Sequence, residues 1–260
     1  MRRPHIPFAS LISRLPIAQK AKLVDHALAH IAEVSYFRLA QLGFRPSGIL
    51  DIGAYEGSWT RTVANIFPRV PILMIEAQEG KRQALDRVRA DVPLVDYTLC
   101  LLGDKDGAET TFNVMETGSS IYSENSDAPR RECRLRMRTL DAVLQGRPQL
   151  SDPLFVKLDV QGAELDVLRG GQAALKLSEV VQLEVALMSY NAGAPEAIDV
   201  FQFMADRGFV VYDVCGFVRP NPPYLSHVDV LFVRKDSALR RHSFRFYANS
   251  EQLASVADCH

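Results

Sequence analysis

The sequence predicts an α/β fold with a mainly parallel sheet of seven strands, of which the last is antiparallel. From residue 49 onward, short apolar runs alternate with amphipathic helical stretches, the pattern of parallel strands joined by crossover helices. The last two strand segments are instead connected through Arg219–Pro223, with no helical pattern between them. A connection without a helix favours antiparallel pairing of the final strand.

The predicted elements follow from the period of the apolar residues. Strands are predicted over 49–53, 72–76, 95–101, 154–159, 180–186, 209–214 and 228–233. Helices are predicted over 57–67, 80–90, 163–176 and 195–207.

Three regions are expected along the chain. Residues 1–47 form an N-terminal helical cap, with one helix from Ile17 to about Leu42 that serves as a packed cap, a lid or a dimerisation helix. Residues 48–236 form the core, with an insertion over 104–145, and residues 237–260 form a weakly periodic tail. Within the insertion, the alternating arginines of 130–138 predict a strand with one charged face, either at a sheet edge or in contact with an anionic acceptor.

Composition narrows the function classes. Hydrophobic content of 47% and charged content of 23% are ordinary for a globular protein, and 30 basic residues nearly balance 31 acidic ones. This balance disfavours a nucleic-acid partner. No uncharged run reaches the roughly 18 residues that a membrane span needs. The four cysteines are scattered, which argues against a zinc site or disulfide framework and predicts a reducing, cytoplasmic location.

The most informative segment is the strand and glycine turn from Ile49 to Gly57. Glycine allows a ligand to approach bare backbone, and Glu76 ends the next strand, where a carboxylate can accept both hydroxyls of a ribose. The turn lacks the Gly-x-Gly-x-x-Gly of dinucleotide sites and is similar to the S-adenosylmethionine (SAM) site of class I methyltransferases. The predicted cofactor contacts here are Asp51, Gly53, Ala54, Glu56, Gly57, Glu76 and Ala77.

Other candidates lie at further strand ends, because ligands of open α/β sheets bind at the carboxyl edge. Gly103 and Asp104 either border an adenine pocket or form a plain turn, and Ser119 lies in a Gly-Ser-Ser loop suited to adenine or acceptor contacts. Asp159 is expected to contact the cofactor or to act in catalysis.

A second motif, Val156-Lys-Leu-Asp-Val-Gln-Gly-Ala-Glu-Leu-Asp-Val-Leu-Arg-Gly-Gly171, resembles the FkbM family of methyltransferases. Further matches are Asp51–Thr60, Arg138–Asp141, Leu183–Val185 and Asp229–Val233, so the resemblance spans about 48–235. It implies a Rossmann-like, seven-stranded class I methyltransferase sheet with an N-terminal helical extension. Two departures are Tyr55, where the family often has Asn, and Gln161, where it often has Glu.

The resemblance implies SAM-dependent O-methylation of a hydroxyl on a sugar or other polyhydroxylated small molecule. A hydroxyl is a poor nucleophile at neutral pH, so a general base is expected, with Asp159, Glu184 and His227 as candidates and Lys157 as a partner of Asp159 or the acceptor. Asp159 and Glu184 would suit a divalent cation, but nothing at ligand spacing demands a metal and none is expected. The expected partner is a small-molecule or glycan acceptor, and the N-terminal helix is a candidate homodimer interface.

Three alternatives stay open at this stage. Gln161 favours a catalytically inactive SAM-binding scaffold. A methyltransferase acting on nitrogen or nucleic acid is disfavoured, because Asn221-Pro-Pro-Tyr224 lies before the last strand rather than after the fourth. A nicotinamide-dependent enzyme on the same kind of sheet is weakened by the missing third glycine.

Overall fold

The structure is a computed structural model that describes residues 12–220 and 224–241. Its strands, in chain order, are β1 (Gly48–Ile52), β2 (Ile72–Glu76), β3 (Val95–Leu99), β4 (Leu101–Leu102), β5 (Glu109–Val114), β6 (Ser123–Glu124), β7 (Arg131–Arg138), β8 (Leu154–Leu158), β9 (Ser178–Ala186), β10 (Asn191–Ala192), β11 (Phe209–Val218) and β12 (His227–Arg234). The helices are α1 (Ile17–Leu28), α2 (Ile31–Gln41), α3 (Ser58–Ile66), α4 (Arg82–Asp91), α5 (Leu140–Leu144), α6 (Glu164–Arg169), α7 (Gln172–Leu177) and α8 (Ala197–Asp206).

The central sheet has seven strands in the order β11-β12-β9-β8-β1-β2-β3. Strands β3, β2, β1, β8 and β9 run parallel to one another, whereas β12 is antiparallel to both β9 and β11. Every residue of β1, β2 and β8 is buried, as expected for central parallel strands covered on both faces. The predicted seven-stranded sheet with an antiparallel last strand is confirmed.

Two predicted helices are each divided in the structure. The helix predicted from Ile17 to Leu42 is interrupted after Leu28, and α2 begins at Ile31. The helix predicted over 163–176 is divided at Gly170 and Gly171, which pack against Gly103 and Leu140 so closely that an added Cβ would lie 2.2 Å and 2.9 Å away from them. The break between α6 and α7 thus lies at two closely packed glycines, a tertiary contact that the spacing of apolar residues does not reveal.

Two strands of the insertion, β5 and β7, form a separate three-stranded sheet with β4, which precedes the insertion, in the order β4-β7-β5. The predicted strand over 95–101 ends at Leu99, and Leu101–Leu102 pairs with β7 in this second sheet. The arginines of β7 are exposed, which confirms the alternation. The expected edge position was wrong, since β7 is the central strand and pairs with β5 over six residues.

The two N-terminal helices differ in how they pack. On α2, Tyr36 and Leu39 are fully buried against the sheet side that also holds Ile49 and Phe155. Helix α1 buries none of its residues. A homodimer through the N-terminal segment stays a prediction. Within residues 12–220 and 224–241, no helix is long and apolar enough to cross a membrane.

Strand register places a polar layer under α2 and α3. Asp51 on β1 pairs with Lys157 on β8, and Lys157 pairs with Gln182 on β9. These residues alternate with apolar ones and so share the sheet face that α2 and α3 cover. All three are buried, and Asp51 and Lys157 are the penultimate residues of β1 and β8. Lys157 and Gln182 form the floor of a site, with Asp51 beneath it.

Candidate cofactor and acceptor site

A cavity of about 330 Å³ opens at the carboxyl ends of β1, β2 and β8. Its walls are formed by the β1–α3 turn, the start of the β2–α4 connection, the insertion and α2. Its floor is the polar layer under α2 and α3. The charged and polar lining residues are Tyr36, Tyr55, Ser58, Glu76, Gln78, Glu116, Thr117, Ser119, Ser120, Lys157, Asp159, Gln161, Gln182 and Asp229.

The turn after β1 brings bare backbone to this cavity. Gly53 has φ +75°, and its amide donates to the carbonyl of Ile75 at 2.9 Å. An added Cβ at Gly53 would lie 1.9 Å from the backbone oxygen of Asp159. Two features therefore require glycine at position 53: the left-handed backbone conformation, and the close approach of the turn after β1 to the backbone of Asp159.

Glu76 is fixed at the end of β2 by backbone donors. Its Oε2 accepts from the amide of Tyr55 and its Oε1 from the amide of Gln78, both at 2.8 Å. Burial raises the pKa of Glu76, and these hydrogen bonds act in the opposite direction. Each oxygen keeps a second lone pair, so the carboxylate can also accept hydroxyl donors from a ligand in the cavity.

Beneath the glycine turn lies an ion cluster centred on Lys157. Its ammonium is 3.4 Å from both Asp51 Oδ1 and Asp159 Oδ2, and Thr60 donates to Asp51 Oδ2 at 2.7 Å. Burial alone lowers the pKa of Lys157, but the carboxylates of Asp159 and Asp51 outweigh it and raise the pKa above its ordinary value. Lys157 is thus a permanent cation beside the cavity.

Residues that the sequence analysis did not select form one wall of the cavity. Trp59 Nε1 donates to the Tyr36 hydroxyl at 2.8 Å, and that hydroxyl donates to Gln182 Oε1 at 2.5 Å. Tyr36 comes from the N-terminal extension, so α2 contributes directly to the site. The sequence signal that could have found this wall is Gln182, a polar residue between Val181 and Leu183 in the buried part of its strand.

Asp229 on β12 is a further lining residue that sequence reasoning did not assign to the site. It pairs with Glu184 on β9 and with Gly216 on β11. An added Cβ at Gly216 would lie 1.9 Å from Asp229 Oδ2, so the carboxylate occupies space left by the glycine. The sequence signal was an acidic residue in the apolar run of the last strand.

The loop after β5 closes the cavity through one contact network. The carboxylate of Glu116 accepts from the Tyr55 hydroxyl and from Lys81, both at 2.8 Å. The Lys81 ammonium also lies 3.7 Å from the centre of the Tyr55 ring. We call residues 116–121 the lid. Tyr55, one of the two departures from the family pattern, links this lid directly to the glycine turn, and Lys81 links Glu116 to Glu56 of the same turn.

Gln161, the other departure, joins two carboxylates. Its amide nitrogen donates to Asp159 Oδ1 at 2.9 Å and to Glu184 Oε2 at 2.8 Å. A glutamate here would place three carboxylates together, whereas the amide satisfies both neighbours without added charge. Among the described residues there is no group of three or more His, Cys, Asp or Glu side chains that could hold a metal ion.

Glu184 and His227 lie beside a separate, small cavity of about 20 Å³. His227 Nδ1 is 2.9 Å from Ser226 Oγ, and burial lowers the pKa of His227 although the charges of Asp159 and Glu124 oppose this. Burial raises the pKa of Glu184. Neither side chain lines the main cavity, although Gln161 connects Glu184 to it.

The predicted site residues therefore divide into groups. Those that line the main cavity are Gly53, Ala54, Glu76, Ala77, Ser119, Lys157 and Asp159. Asp51 lies beneath the floor, Gly57 is the N-cap residue of α3 with φ +75°, and Gly103 packs against Met137. Glu56 and Asp104 are exposed, and Cys100–Leu102 line the cavity where Gly103 and Asp104 were expected. The individual roles of these residues stay predictions.

The geometry fits S-adenosylmethionine. A volume of about 330 Å³ lies in the range of small-molecule sites. Gly53 offers bare backbone, Glu76 faces the cavity for a ribose, and Ala77, Leu101 and Leu102 provide an apolar surface for a base. Asp51 Oδ1 is buried and accepts no hydrogen bond from the described residues, and its partner is the Lys157 ammonium at 3.4 Å.

Several solved structures match the chain at low similarity. Magnesium protoporphyrin IX methyltransferase from Synechocystis PCC 6803, with bound SAH, is 14% identical with a TM-score of 0.45, covering 85% of this chain and 89% of that one. Precorrin-6y C5,15-methyltransferase from Geobacter metallireducens GS-15 is 16% identical with a TM-score of 0.42, covering 78% and 87%. A SAM-dependent methyltransferase from Aquifex aeolicus is 12% identical with a TM-score of 0.39, covering 75% and 87%. No curated protein matches the chain.

The family assignment comes from the sequence itself. The profile of the Methyltransferase FkbM domain matches residues 51–211, more than half of the chain. The match begins at Asp51 and includes the glycine turn, Glu76, the lid and the Lys157–Gln161 segment that build the cavity. The protein therefore belongs to the FkbM family of methyltransferases and uses S-adenosylmethionine as its methyl donor.

Proposed function

We propose that this methyltransferase acts on a hydroxyl group of a neutral, polyhydroxylated small molecule such as a sugar. The observation that carries the proposal is the charge of one end of the cavity. From the ribose-type carboxylate Glu76, the cavity continues to an end lined by Asp159 and Asp229 around the buried Lys157. The cofactor turn and this acidic end thus belong to one continuous space.

The acidic end favours hydroxyl donors over anions. Carboxylates accept hydrogen bonds from hydroxyl groups, and such charge-assisted bonds are about twice as strong as neutral ones. Lys157 is the cation of this end, and its ammonium is already shared by Asp51 and Asp159. A phosphate or carboxylate on the reacting part of an acceptor would meet two carboxylates without a free cation to balance it, at a cost that burial increases.

The residues of the chain have separable tasks in this reaction. When bound, SAM supplies an electrophilic methyl group on a sulfonium sulfur. Glu76 and the Gly53 turn hold the donor, and the lid, joined to the turn through Glu116 and Tyr55, keeps water out. Asp159 accepts hydrogen bonds from polar groups where donor and acceptor meet. Alignment of the two reactants is the main contribution, since fixed orientation alone is worth several kcal/mol.

The test is a set of acceptors that differ in one feature each. Transfer of a radiolabelled methyl group from SAM is measured to methyl glycosides and cyclic polyols, to their monophosphates and to the matching amino sugars. We expect transfer to at least one neutral polyol, and about tenfold or greater loss of kcat/KM when a phosphate is added next to the reacting hydroxyl. Transfer to amines alone, or preference for the phosphorylated compounds, would contradict the proposal.

A further inference from the structure

We infer that Asp229 is the general base that removes the proton from the acceptor hydroxyl, and that Gly216 and Gln182 are the residues that position it. This inference rests on the proposed function, because a base is needed only where the acceptor is a hydroxyl. It selects a residue on the last strand, outside the segments that carry the glycine turn and the Lys157–Gln161 motif.

The other carboxylates of the cavity are already engaged. Among the described lining residues, four carry carboxylates: Glu76, Glu116, Asp159 and Asp229. Glu76 accepts two backbone amides at the donor end, and Glu116 is held in the lid by Tyr55 and Lys81. Both oxygens of Asp159 have partners, since Oδ1 accepts from Gln161 and Oδ2 lies 3.4 Å from Lys157. Asp229 is the lining carboxylate without an ion pair or a backbone donor among those the described residues form.

The surroundings of Asp229 fix its place. Gly216 on the neighbouring strand leaves the space that the carboxylate fills, as a Cβ there would lie 1.9 Å from Oδ2. On the other side, Trp59 donates to Tyr36 and Tyr36 donates to Gln182 Oε1. With its oxygen occupied in this way, the Gln182 amide can present only its NH₂ group to Asp229. The hydrogen bonds from Trp59 to Tyr36 and from Tyr36 to Gln182 thus orient the Gln182 amide, so that its NH₂ group is the neutral donor beside the Asp229 carboxylate.

The charges around Asp229 suit a base that works near neutral pH. Burial and, second, the charge of Asp159 raise the pKa of Asp229 to about 6, although Lys157 and the Gln182 hydrogen bond act in the opposite direction. The other titratable groups that face it are Tyr36 on α2, Glu184 on β9 and Cys215 on β11, whose own pKa values are all raised. A base with a pKa just below neutral is both deprotonated and basic enough to accept a proton.

The step is balanced without any further reactant. The acceptor oxygen forms a bond to the methyl carbon as the carbon–sulfur bond breaks, and the electron pair of that bond stays on sulfur in S-adenosylhomocysteine. The hydroxyl proton moves to Asp229, which returns it to solvent after the methylated product leaves. Positive charge on the donor and negative charge on Asp229 are both neutralised in the same step.

The experiment compares Asp229→Asn, Asp229→Glu and Gly216→Ala with the wild type, using a neutral polyol that the wild type methylates. Asp96→Asn, an exposed aspartate that pairs with Arg147, is the matched control. Asp229→Asn should lower kcat by about 100-fold or more, the usual worth of a general base. In the wild type, kcat/KM should rise with pH up to about pH 6 as Asp229 loses its proton, and this limb should be absent in Asp229→Asn. Asp229→Glu should keep the limb at a lower kcat.

Cofactor binding separates a catalytic role from a structural one. Asp229→Asn and Gly216→Ala should bind S-adenosylhomocysteine within about threefold of the wild type, a difference well below 1.4 kcal/mol. An active wild type together with an Asp229→Asn variant that keeps more than a tenth of kcat and the acidic limb would overturn the inference alone. A folded, cofactor-binding wild type that methylates no hydroxyl would overturn the proposed function and this inference with it.

Discussion

Replacing Gly53 with alanine is expected to destabilise the protein by about 2–5 kcal/mol and to abolish cofactor binding. A left-handed conformation costs a residue with a Cβ about 1–2 kcal/mol, and overpacking adds about 1–3 kcal/mol. Both apply at Gly53, which has φ +75° and no room for a Cβ against the Asp159 carbonyl. Urea unfolding of the two proteins measures the free energy of unfolding directly.

Gly107→Ala is the matched control for this prediction. Gly107 has nearly the same backbone conformation, with φ +77°, but nothing lies within 4 Å of a Cβ built there. Its loss of stability should be about 1–2 kcal/mol, the conformational cost alone. Equal losses in the two variants would show that the close approach of Gly53 to Asp159 does not occur.

Glu76→Ala is expected to weaken binding of S-adenosylhomocysteine by about 100-fold. A hydrogen bond to a charged group is worth about 1.5–3 kcal/mol, and a ribose offers two hydroxyls to this carboxylate. The substitution also removes the acceptor for the amides of Tyr55 and Gln78, which loosens the cofactor turn. Isothermal titration of both proteins, each first shown to be folded, gives the two dissociation constants.

The neighbouring Glu79→Ala serves as its control. Glu79 is an exposed glutamate whose carboxylate pairs with Arg82, and it does not line the cavity. Its loss should leave the dissociation constant unchanged. A Glu76→Ala protein that binds as tightly as the wild type would mean that the carboxylate at the end of β2 does not hold the cofactor.

The features that local sequence dictates were predicted well. Buried parallel strands appear as short apolar runs, and so the runs at Ile49–Ile52 and Ile72–Ile75 predicted both strands and the edge on which Asp51 and Glu76 lie. The glycine turn was recognisable because a left-handed residue at the end of a strand demands glycine. The antiparallel last strand followed from the absence of a helix before it.

The features that depend on contacts between distant segments were not predictable in this way. Asp229, Gln182 and Tyr36 lie inside strands or a helix. They meet because β12 and β9 are neighbours in the sheet and α2 packs on the face that carries these side chains. Similarly, β7 is a central strand because it pairs with Leu101–Leu102 as well as with β5, and the periodicity had assigned Leu101 to the preceding strand. Residues Asn221–Pro223 of the motif that ends at Tyr224, and the tail beyond residue 241, lie outside the described residues.

Hydrogen exchange with and without S-adenosylhomocysteine tests most directly whether this cavity is the cofactor site. We expect the ligand to slow exchange at the Gly53–Gly57 turn, at Ala77 and Gln78, at Leu101 and Leu102, and in the lid, because these backbone segments surround the cavity. The open pocket at Lys176, Arg207 and Lys235 should not change. Protection at that pocket, with none around Gly53 and the lid, would contradict the assignment of the site.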